Sequence, residues 1–363
     1  MSNKQAIILF SGGGTGGSVT PLLAVAKEIF RRRPDWSFSF VGTKSGPEKL
    51  LVAEAAKDLP ISFSFLPAGK WRRYFSWQNF LDIFVIIWAF FRSFLLLGRL
   101  KPAAVVSAGS FVSVPLVWAA RILRIPVLIH QQDLQAGLAN KLMAPAARQI
   151  TVTFADSIKD YGSRALLVGN PYSIPPLEKK EIVFARYNFS LARPLILVFG
   201  GGTGAAAINE AAVAKLPALL EKGQIIHLTG RGKTITQQAS GYYQQEFVSH
   251  QELWSLLAAA DLVIARPGLG TLTELAALKK VSLLIPMPKT HQEKNAEAAR
   301  AAGAAWVLSQ EELAESLVPT VHRLLTQDET RAALSREIGE FIKPGAAATL
   351  AEIILTWEQE NRN

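Results

Sequence analysis

"FSGGGTGGSVTPLLAVAKEI", residues 10–29, decides how this chain is read. An apolar run at 6–10 leads into it, glycine holds five of the six positions from 12 to 17, and a helical pattern follows over 21–33. Strand, glycine turn and helix in that order expose backbone N–H groups at a helix start, where the dipole adds partial positive charge. Phosphate is the usual guest of such a turn. The stretch lacks the Gly-Lys-Ser/Thr ending of a P-loop, and no ribose-binding acid follows it in the dinucleotide-binding manner.

The pattern then returns. "LVFGGGTGAAAINEAAVA", from Leu197, answers "ILFSGGGTGGSVTPLLAVA" near the start. Two such openings a domain apart predict an α/β protein of two Rossmann-like halves. The 363 residues are too many for one ordinary core. Strand-length apolar runs support the division, at 6–10, 38–41, 61–66, 104–107, 127–130 and 149–153, then at 195–199, 225–228, 244–248, 262–265 and 282–285. Helical patterns lie between most of them, as a parallel sheet wrapped on both faces requires. The expected division is a first domain over 1–168, a Pro-rich linker over 169–180, a second domain over 181–345, and a terminal helix over 346–363 returning to the first domain.

Composition narrows the function. Apolar residues make up 49%, too many for a disordered chain. Cysteine is absent, so disulfides and thiolate metal sites are excluded, in keeping with a reducing cytoplasm. The five histidines are scattered, which argues against a metal site. No secretory pattern opens the sequence, and a cytoplasmic location is expected. The net charge is +10, yet the cations neither run together nor interleave with aromatics, so no nucleic-acid partner is expected. An anionic membrane surface or a phosphorylated substrate accounts for the excess.

A third motif, "ADLVIARPGLGTLTELAALKKVSLLIPMP" (260–288), holds a buried strand, a turn at Arg266-Pro267-Gly268-Leu269-Gly270-Thr271, and a helix carrying Glu274 in its expected first turn. Glu274 there either complements the helix dipole or accepts hydrogen bonds from two ribose hydroxyls. Next, "PKTHQEKNAEAA" sets His291, Gln292 and Asn295 within about a turn of helix. These are either a solvated face or, at a sheet's C-terminal edge, ligands for sugar hydroxyls.

Taken in order, these motifs resemble glycosyltransferase family 28, and within it the N-acetylglucosaminyltransferases that act on muramoyl-pentapeptide diphospho-undecaprenol. The blocks are the glycine loop with "TPLLAVA", "SAGSFVSVP" (107–115), "IPVLIHQQDLQAGLANKLMAPAARQI" (125–150), "VGNP" (168–171), "FGGGTGAAAIN" (199–209), "RPGLGTLTELAAL" (266–278) and "HQEKNA" (291–296). The resemblance implies a GT-B fold, with donor nucleotide on the second half, acceptor lipid on the first and chemistry in the cleft. It implies UDP-N-acetylglucosamine as donor substrate, a polyprenyl-diphosphate-linked acceptor, no cofactor, and a peripheral place on the cytoplasmic face of the membrane.

Residue by residue, it brings Gly201, Gly202, Thr203 and Gly204 to the UDP diphosphate and Asn209 towards the donor sugar. Val248 would meet the uracil, Arg266 with Gly268, Leu269, Gly270 and Thr271 would frame the nucleotide, Glu274 would hold the ribose, and Gln292 with His291 and Asn295 would read the sugar. Gly13, Gly14, Thr15, Gly16 and Gly17, with Gly109, Ser110, Phe111 and Asn140, would hold the acceptor.

Two positions depart from the family pattern. Ser18 stands where a histidine usually follows the glycine loop, and the usual His-Glu-Gln-Asn is here His130-Gln131-Gln132-Asp133. Inverting transfer to a hydroxyl needs a proton acceptor and stabilisation of the departing diphosphate. Backbone N–H groups supply the second, and no Asp-X-Asp pair stands where a metal would clamp it. For the first, the candidates are Asp133, His130 and Ser18. His130 is either that base or a buried strand-end histidine, and Asp133 either that base or a helix cap. The alternatives are a membrane transferase with another lipid acceptor, a silent nucleotide-sugar-binding homologue and, furthest away, a Rossmann redox enzyme.

The most apolar stretch, 69–101, carries Trp77, Phe80, Phe84, Trp88 and Phe91 at three- and four-residue spacings, flanked by Lys70, Arg72, Arg73, Arg99 and Lys101. Its apolar core, 80–97, is near the lower limit for a span, but it holds Asp82 and Arg92 and lies between two strands of one sheet. A helix resting on an anionic leaflet is the expectation.

Overall fold

The computed structural model describes residues 6–14, 16–67, 77–201 and 205–362, with the side chains of 77–83 and 361–362 left aside. The chain forms two compact units, Met1–Ser173 with Lys343–Asn363, and Ile174–Ile342.

The first unit is built on seven parallel strands: β1 (Ile7–Ser11), β2 (Ser37–Gly42), β3 (Ile61–Phe65), β4 (Ala104–Ser107), β5 (Val127–Gln131), β6 (Gln149–Val152) and β7 (Ala165–Leu167). Their order is β3-β2-β1-β4-β5-β6-β7. β4 and β5 are buried along their whole length, as strands covered on both faces should be. Helix Thr20–Arg32 carries Pro21 in its first turn, where a missing N–H costs nothing, and buries Leu22, Val25, Ala26 and Ile29. The terminal helix Ala346–Arg362 adds Leu350, Ala351, Ile354 and Trp357 to the same core. Gly169, at φ +87°, lies four residues before the chain leaves this unit; a Cβ there would lie 1.8 Å from the carbonyl oxygen of Lys343. Only glycine fits.

The second unit repeats the plan with six parallel strands: β8 (Leu195–Phe199), β9 (Gln224–Leu228), β10 (Tyr242–Gln245), β11 (Leu262–Ala265), β12 (Ser282–Leu284) and β13 (Trp306–Val307). Their order is β10-β9-β8-β11-β12-β13. The strand expected at 244–248 thus lies earlier. Phe247 and Val248 are apolar but fall beyond the ladder with β9, just before Ser249 caps helix His250–Ala259 by accepting from the Glu252 N–H at 3.2 Å. β7 and β13 carry no periodic pattern in their three and two residues, and the sequence does not reveal them.

Strand order reverses between β1 and β4 in one unit and between β8 and β11 in the other. At such a switch point the loops leaving the two strands part, and ligands of open α/β sheets bind there. Both glycine-rich turns, the 108–113 loop and the 266–270 turn lie at these two places.

Candidate active site

In the first unit, the loops after β1 and β4 are joined by a 2.8 Å hydrogen bond between the Ser11 and Ser113 hydroxyls. Gly12 N–H donates to the Val41 carbonyl, and Gly13 N–H donates to Ser18 Oγ at 3.0 Å. Ser18 therefore closes the glycine loop upon itself. The second loop is pinned in the same way: Gly109 N–H donates to Ser107 Oγ at 3.2 Å, and Ser113 Oγ donates to the Gly109 carbonyl at 3.0 Å. Gly109 and Ser110 stand at φ +101° and +90°, and for Ser110 that is a strained backbone of the kind that functional sites retain. Gly14, Gly16, Gly17 and Phe111 lie in these same two loops, and Thr15 lies outside the described residues.

β5 delivers the third part. His130 is wholly buried, with Nδ1 3.0 Å from Thr151 Oγ1 and Nε2 3.3 Å from Thr153 Oγ1. Burial pushes its pKa down to about 4, against the opposing bond with Asn170. The ring is neutral at physiological pH and both nitrogens are engaged. Gln131 is equally committed. Its Nε2 donates to the carbonyls of Asp133 (2.8 Å) and Gln135 (3.0 Å), while Oε1 accepts from Asn140 Nδ2 (2.7 Å) and the Tyr161 hydroxyl (3.0 Å). Only an amide serves both sets of partners, which accounts for glutamine at the family's carboxylate position. Gln132 Nε2 donates to the Gly17 carbonyl at 2.8 Å and so ties this loop to the glycine turn. Asp133 is exposed. Asn140 is buried, and its Oδ1 has no partner among the described residues, lying 3.2 Å from the position a Cβ would take on Gly109. A buried acceptor left without a protein partner is rare in a native fold.

In the second unit, Gly201 stands at φ +86°, and Gly202, Thr203 and Gly204 lie outside the described residues. Asn209 turns inward: Oδ1 meets His227 Nε2 at 3.0 Å and Nδ2 donates to the Thr229 carbonyl at 2.9 Å. His227 Nδ1 in turn lies 3.0 Å from the Tyr242 hydroxyl, and burial lowers the pKa of His227 to about 4. Arg266 also points into the fold, its Nη1 donating to the carbonyls of Ile285 (2.9 Å) and Pro286 (2.8 Å). Asn295 Nδ2 donates to the Pro267 carbonyl at 3.0 Å, Gln292 Oε1 accepts from the Met287 N–H at 3.1 Å, and His291 is exposed. Val248 is buried beside Phe247, whose ring carries the Arg231 guanidinium 4.6 Å from its centre.

The helix after the 266–268 turn begins at Leu269, which places Glu274 in the second turn and not the first. A dipole effect is confined to the first turn, so the bland reading loses its basis. Glu274 has no hydrogen-bond partner among the described residues, and desolvation raises its pKa to about 7. Gly268 caps this helix without a side-chain bond, and Leu269, Gly270 and Thr271 form its first turn, where backbone N–H groups have no intrahelical acceptor. Among the described residues no group of three or more His, Asp or Glu is placed to hold a metal ion.

Glu48 and His227 carry no motif and escape the sequence reading. Glu48 is fully buried under the first glycine loop and accepts from the N–H groups of Gly14 (3.2 Å) and Thr43 (2.6 Å). Its one trace in the sequence is the pair Gly42 and Gly46 just ahead of it.

Two parallel-sheet units, each with a strand, glycine turn and helix at its switch point, have the architecture of a GT-B glycosyltransferase. The description "Glycosyltransferase family 28 N-terminal domain" matches residues 8–152, and "Glycosyltransferase family 28 C-terminal domain" matches 195–350. The chain belongs to this family and is a hexosyltransferase. A Bacillus thuringiensis protein named UDP-N-acetylglucosamine--N-acetylmuramyl-(pentapeptide) pyrophosphoryl-undecaprenol N-acetylglucosamine transferase 2 is 36% identical over 343 residues, covering 92% of this chain and 96% of its own. A Clostridium botulinum transferase of the same description is 38% identical over 315 residues, with coverage of 84% and 87%. The crystal structure of Acinetobacter baumannii MurG superposes with a TM-score of 0.73 at 26% identity, over 97% of this chain and 99% of that one. The calicheamicin glycosyltransferase CalG4, at 16% identity and a TM-score of 0.70, shares the fold.

On the first unit, helix Trp77–Leu100 exposes Phe84, Ile87, Trp88, Phe91 and Leu95. Helix Ser113–Ile122, packed against it, adds exposed Trp118 and Ile122. Arg92, Arg99, Arg121 and Arg124 are exposed around them. Trp77 and Phe80 have no described side chains, and Lys70, Arg72 and Arg73 lie outside the described residues. No described helix is long and apolar enough to cross a membrane.

Proposed function

We propose that this enzyme transfers N-acetylglucosamine, with inversion, from UDP-N-acetylglucosamine to muramoyl-pentapeptide diphospho-undecaprenol, converting lipid I to lipid II at the cytoplasmic face of the membrane. The observation that carries the reading is Glu274. A desolvated carboxyl without a partner, beside an anion-facing helix start, suits a ligand with adjacent hydroxyls next to a phosphate. UDP is such a ligand, its ribose on Glu274 and its diphosphate on the amides of Gly268–Thr271 and Gly201–Gly204. Val248 meets the uracil, and Gln292 and His291 read the sugar, with Asn209, Arg266 and Asn295 holding the surrounding loops in place. The first unit takes the acceptor diphosphate on its glycine turn and the 109–111 loop, with Asn140 Oδ1 accepting from the acceptor.

As the acceptor hydroxyl attacks the anomeric carbon, its proton goes to Asp133 and the bond to UDP breaks, the leaving diphosphate being stabilised by the amides that hold it. The choice of base follows by elimination. Ser18 Oγ is bound to Gly13 and His130 is enclosed and neutral, whereas Asp133 is exposed near the start of a loop that Gln131 and Gln132 fix in place. The apolar stripe of helix Trp77–Leu100, rimmed by arginines, rests on an anionic leaflet where the polyprenyl chain is embedded.

Purified protein incubated with radiolabelled UDP-N-acetylglucosamine and lipid I in detergent, with and without EDTA, tests the reading. Label moves to lipid I in both arms. Transfer only to another lipid, or none at all, overturns it.

A further inference from the structure

Glu48 is a buried carboxylate that the proposed chemistry does not use. It opens helix Glu48–Ala55 and reaches back beneath the first glycine turn. Oε2 accepts from the Gly14 N–H at 3.2 Å, and Oε1 accepts from the N–H of Thr43 at 2.6 Å and from its hydroxyl. Three glycines surround it, one from the loop after β1, one from the end of β2 and one from the loop after β2. A Cβ on Gly13 would lie 2.5 Å from Oε1, one on Gly42 2.4 Å from Cγ, and one on Gly46 2.0 Å from Oε2. Among the described residues no cation pairs with it. Desolvation opposes its charge, and the bonds from the Thr43 hydroxyl, its own N–H and the N–H groups of Thr43 and Gly14 outweigh that, holding its pKa below the usual range.

Burying a lone carboxylate under a loop is costly, and clearing three side chains to admit it adds to the cost. What the arrangement secures is the direction of the turn. Gly14, at φ +85°, has its amide drawn inward to Glu48, while the side on which a Cβ would stand meets nothing within 4 Å. One face of the turn is anchored and the other is open.

We propose that Glu48 is a positioning residue: seated in this glycine cradle, its carboxylate holds the first glycine turn in the shape that receives the acceptor's diphosphate. The inference rests on the acceptor reading above and adds to it the residue that shapes that site. Glu48 itself touches no substrate. It sets acceptor affinity, and the donor half is indifferent to it.

Glu48→Gln tests this, since it keeps the size but turns an amide N–H₂ group towards a backbone donor. With a short-chain muramoyl-pentapeptide diphosphate as acceptor, KM for acceptor rises about tenfold or more, as loss of a charge-assisted bond implies. Over the same series kcat changes less than about threefold, and UDP binding by calorimetry stays as in the parent. Gly46→Ala, which displaces the same carboxylate from another loop, raises the acceptor KM in the same way. An unchanged acceptor KM in Glu48→Gln overturns the proposal, and so does a joint fall of kcat, acceptor affinity, UDP affinity and melting temperature. Failure of the parental protein to bind UDP or to use this acceptor counts against the functional reading instead.

Discussion

The two switch points share a topology and differ in how their polar groups are spent. Around β1 and β4, hydrogen bonds are largely made within the protein: Ser18 on Gly13, Ser113 on Gly109, Gln132 on Gly17 and Glu48 on Gly14. One buried acceptor, Asn140 Oδ1, is left over. Around β8 and β11, the supporting groups Asn209, Arg266 and Asn295 are bound inward, but the principal carboxyl, Glu274, accepts from none of the described residues. On the proposed reading, the first site is shaped before its ligand arrives and the second is completed by its ligand. A diphosphate on a flexible lipid gains from a rigid seat, because the seat then loses little freedom on binding. A nucleotide carries enough hydroxyls to supply the missing bonds itself.

The largest expected effect comes from the exposed carboxylate of the first half. Asp133→Asn lowers kcat by about 10²- to 10⁴-fold with UDP affinity unchanged, as removal of a general base should; turnover close to the parental value would return the role of base to another group. Glu274→Ala follows, with kcat/KM for the donor falling about a hundredfold or more through loss of two charge-assisted hydrogen bonds. Calorimetry with UDP should show the same loss, and intact UDP binding would erase the contrast between the halves.

Gln131→Glu, which restores the family's usual residue, should destabilise the fold by about 1–3 kcal/mol, because a carboxylate would face the carbonyls of Asp133 and Gln135 in place of a donor. Chemical denaturation measures this, and an equally stable variant would show that the loop tolerates other partners.

The smallest effect is on protons. Glu274, raised from 4.5 to about 7, gives a fold that binds more protons than the unfolded chain between those values, so its contribution to stability falls as pH rises through that window. His130, lowered from 6.5 to about 4, contributes in the opposite sense, its stabilisation being lost as pH falls towards 4. UDP favours the charged form of Glu274, so nucleotide binding near pH 7 should release part of a proton. Titration in buffers of different ionisation enthalpy detects it, and Glu274→Gln should abolish it.

Much of this was legible from the sequence because the motifs are local. A strand, a glycine turn and a helix need only neighbouring residues, and the β1 and β8 openings announce themselves. The edge strands β7 and β13 do not, being too short to carry a period. Side-chain direction was also hidden. Nothing in "HQQD" tells that His130 is closed in by Thr151 and Thr153, which lie more than twenty residues further along the chain, or that Gln131 folds its amide back onto the carbonyls of its own loop. Glu48 was missed for the same reason: its meaning lies in Gly13 and Gly14, more than thirty residues away.

The account stands most directly on where the nucleotide sits, and a crystal structure with UDP bound measures that. The expected result is ribose hydroxyls on the Glu274 carboxylate and diphosphate on the amides of Gly268–Thr271, with the first glycine turn left empty. UDP lodged against Gly13–Gly17, with Glu274 still unpartnered, would contradict it.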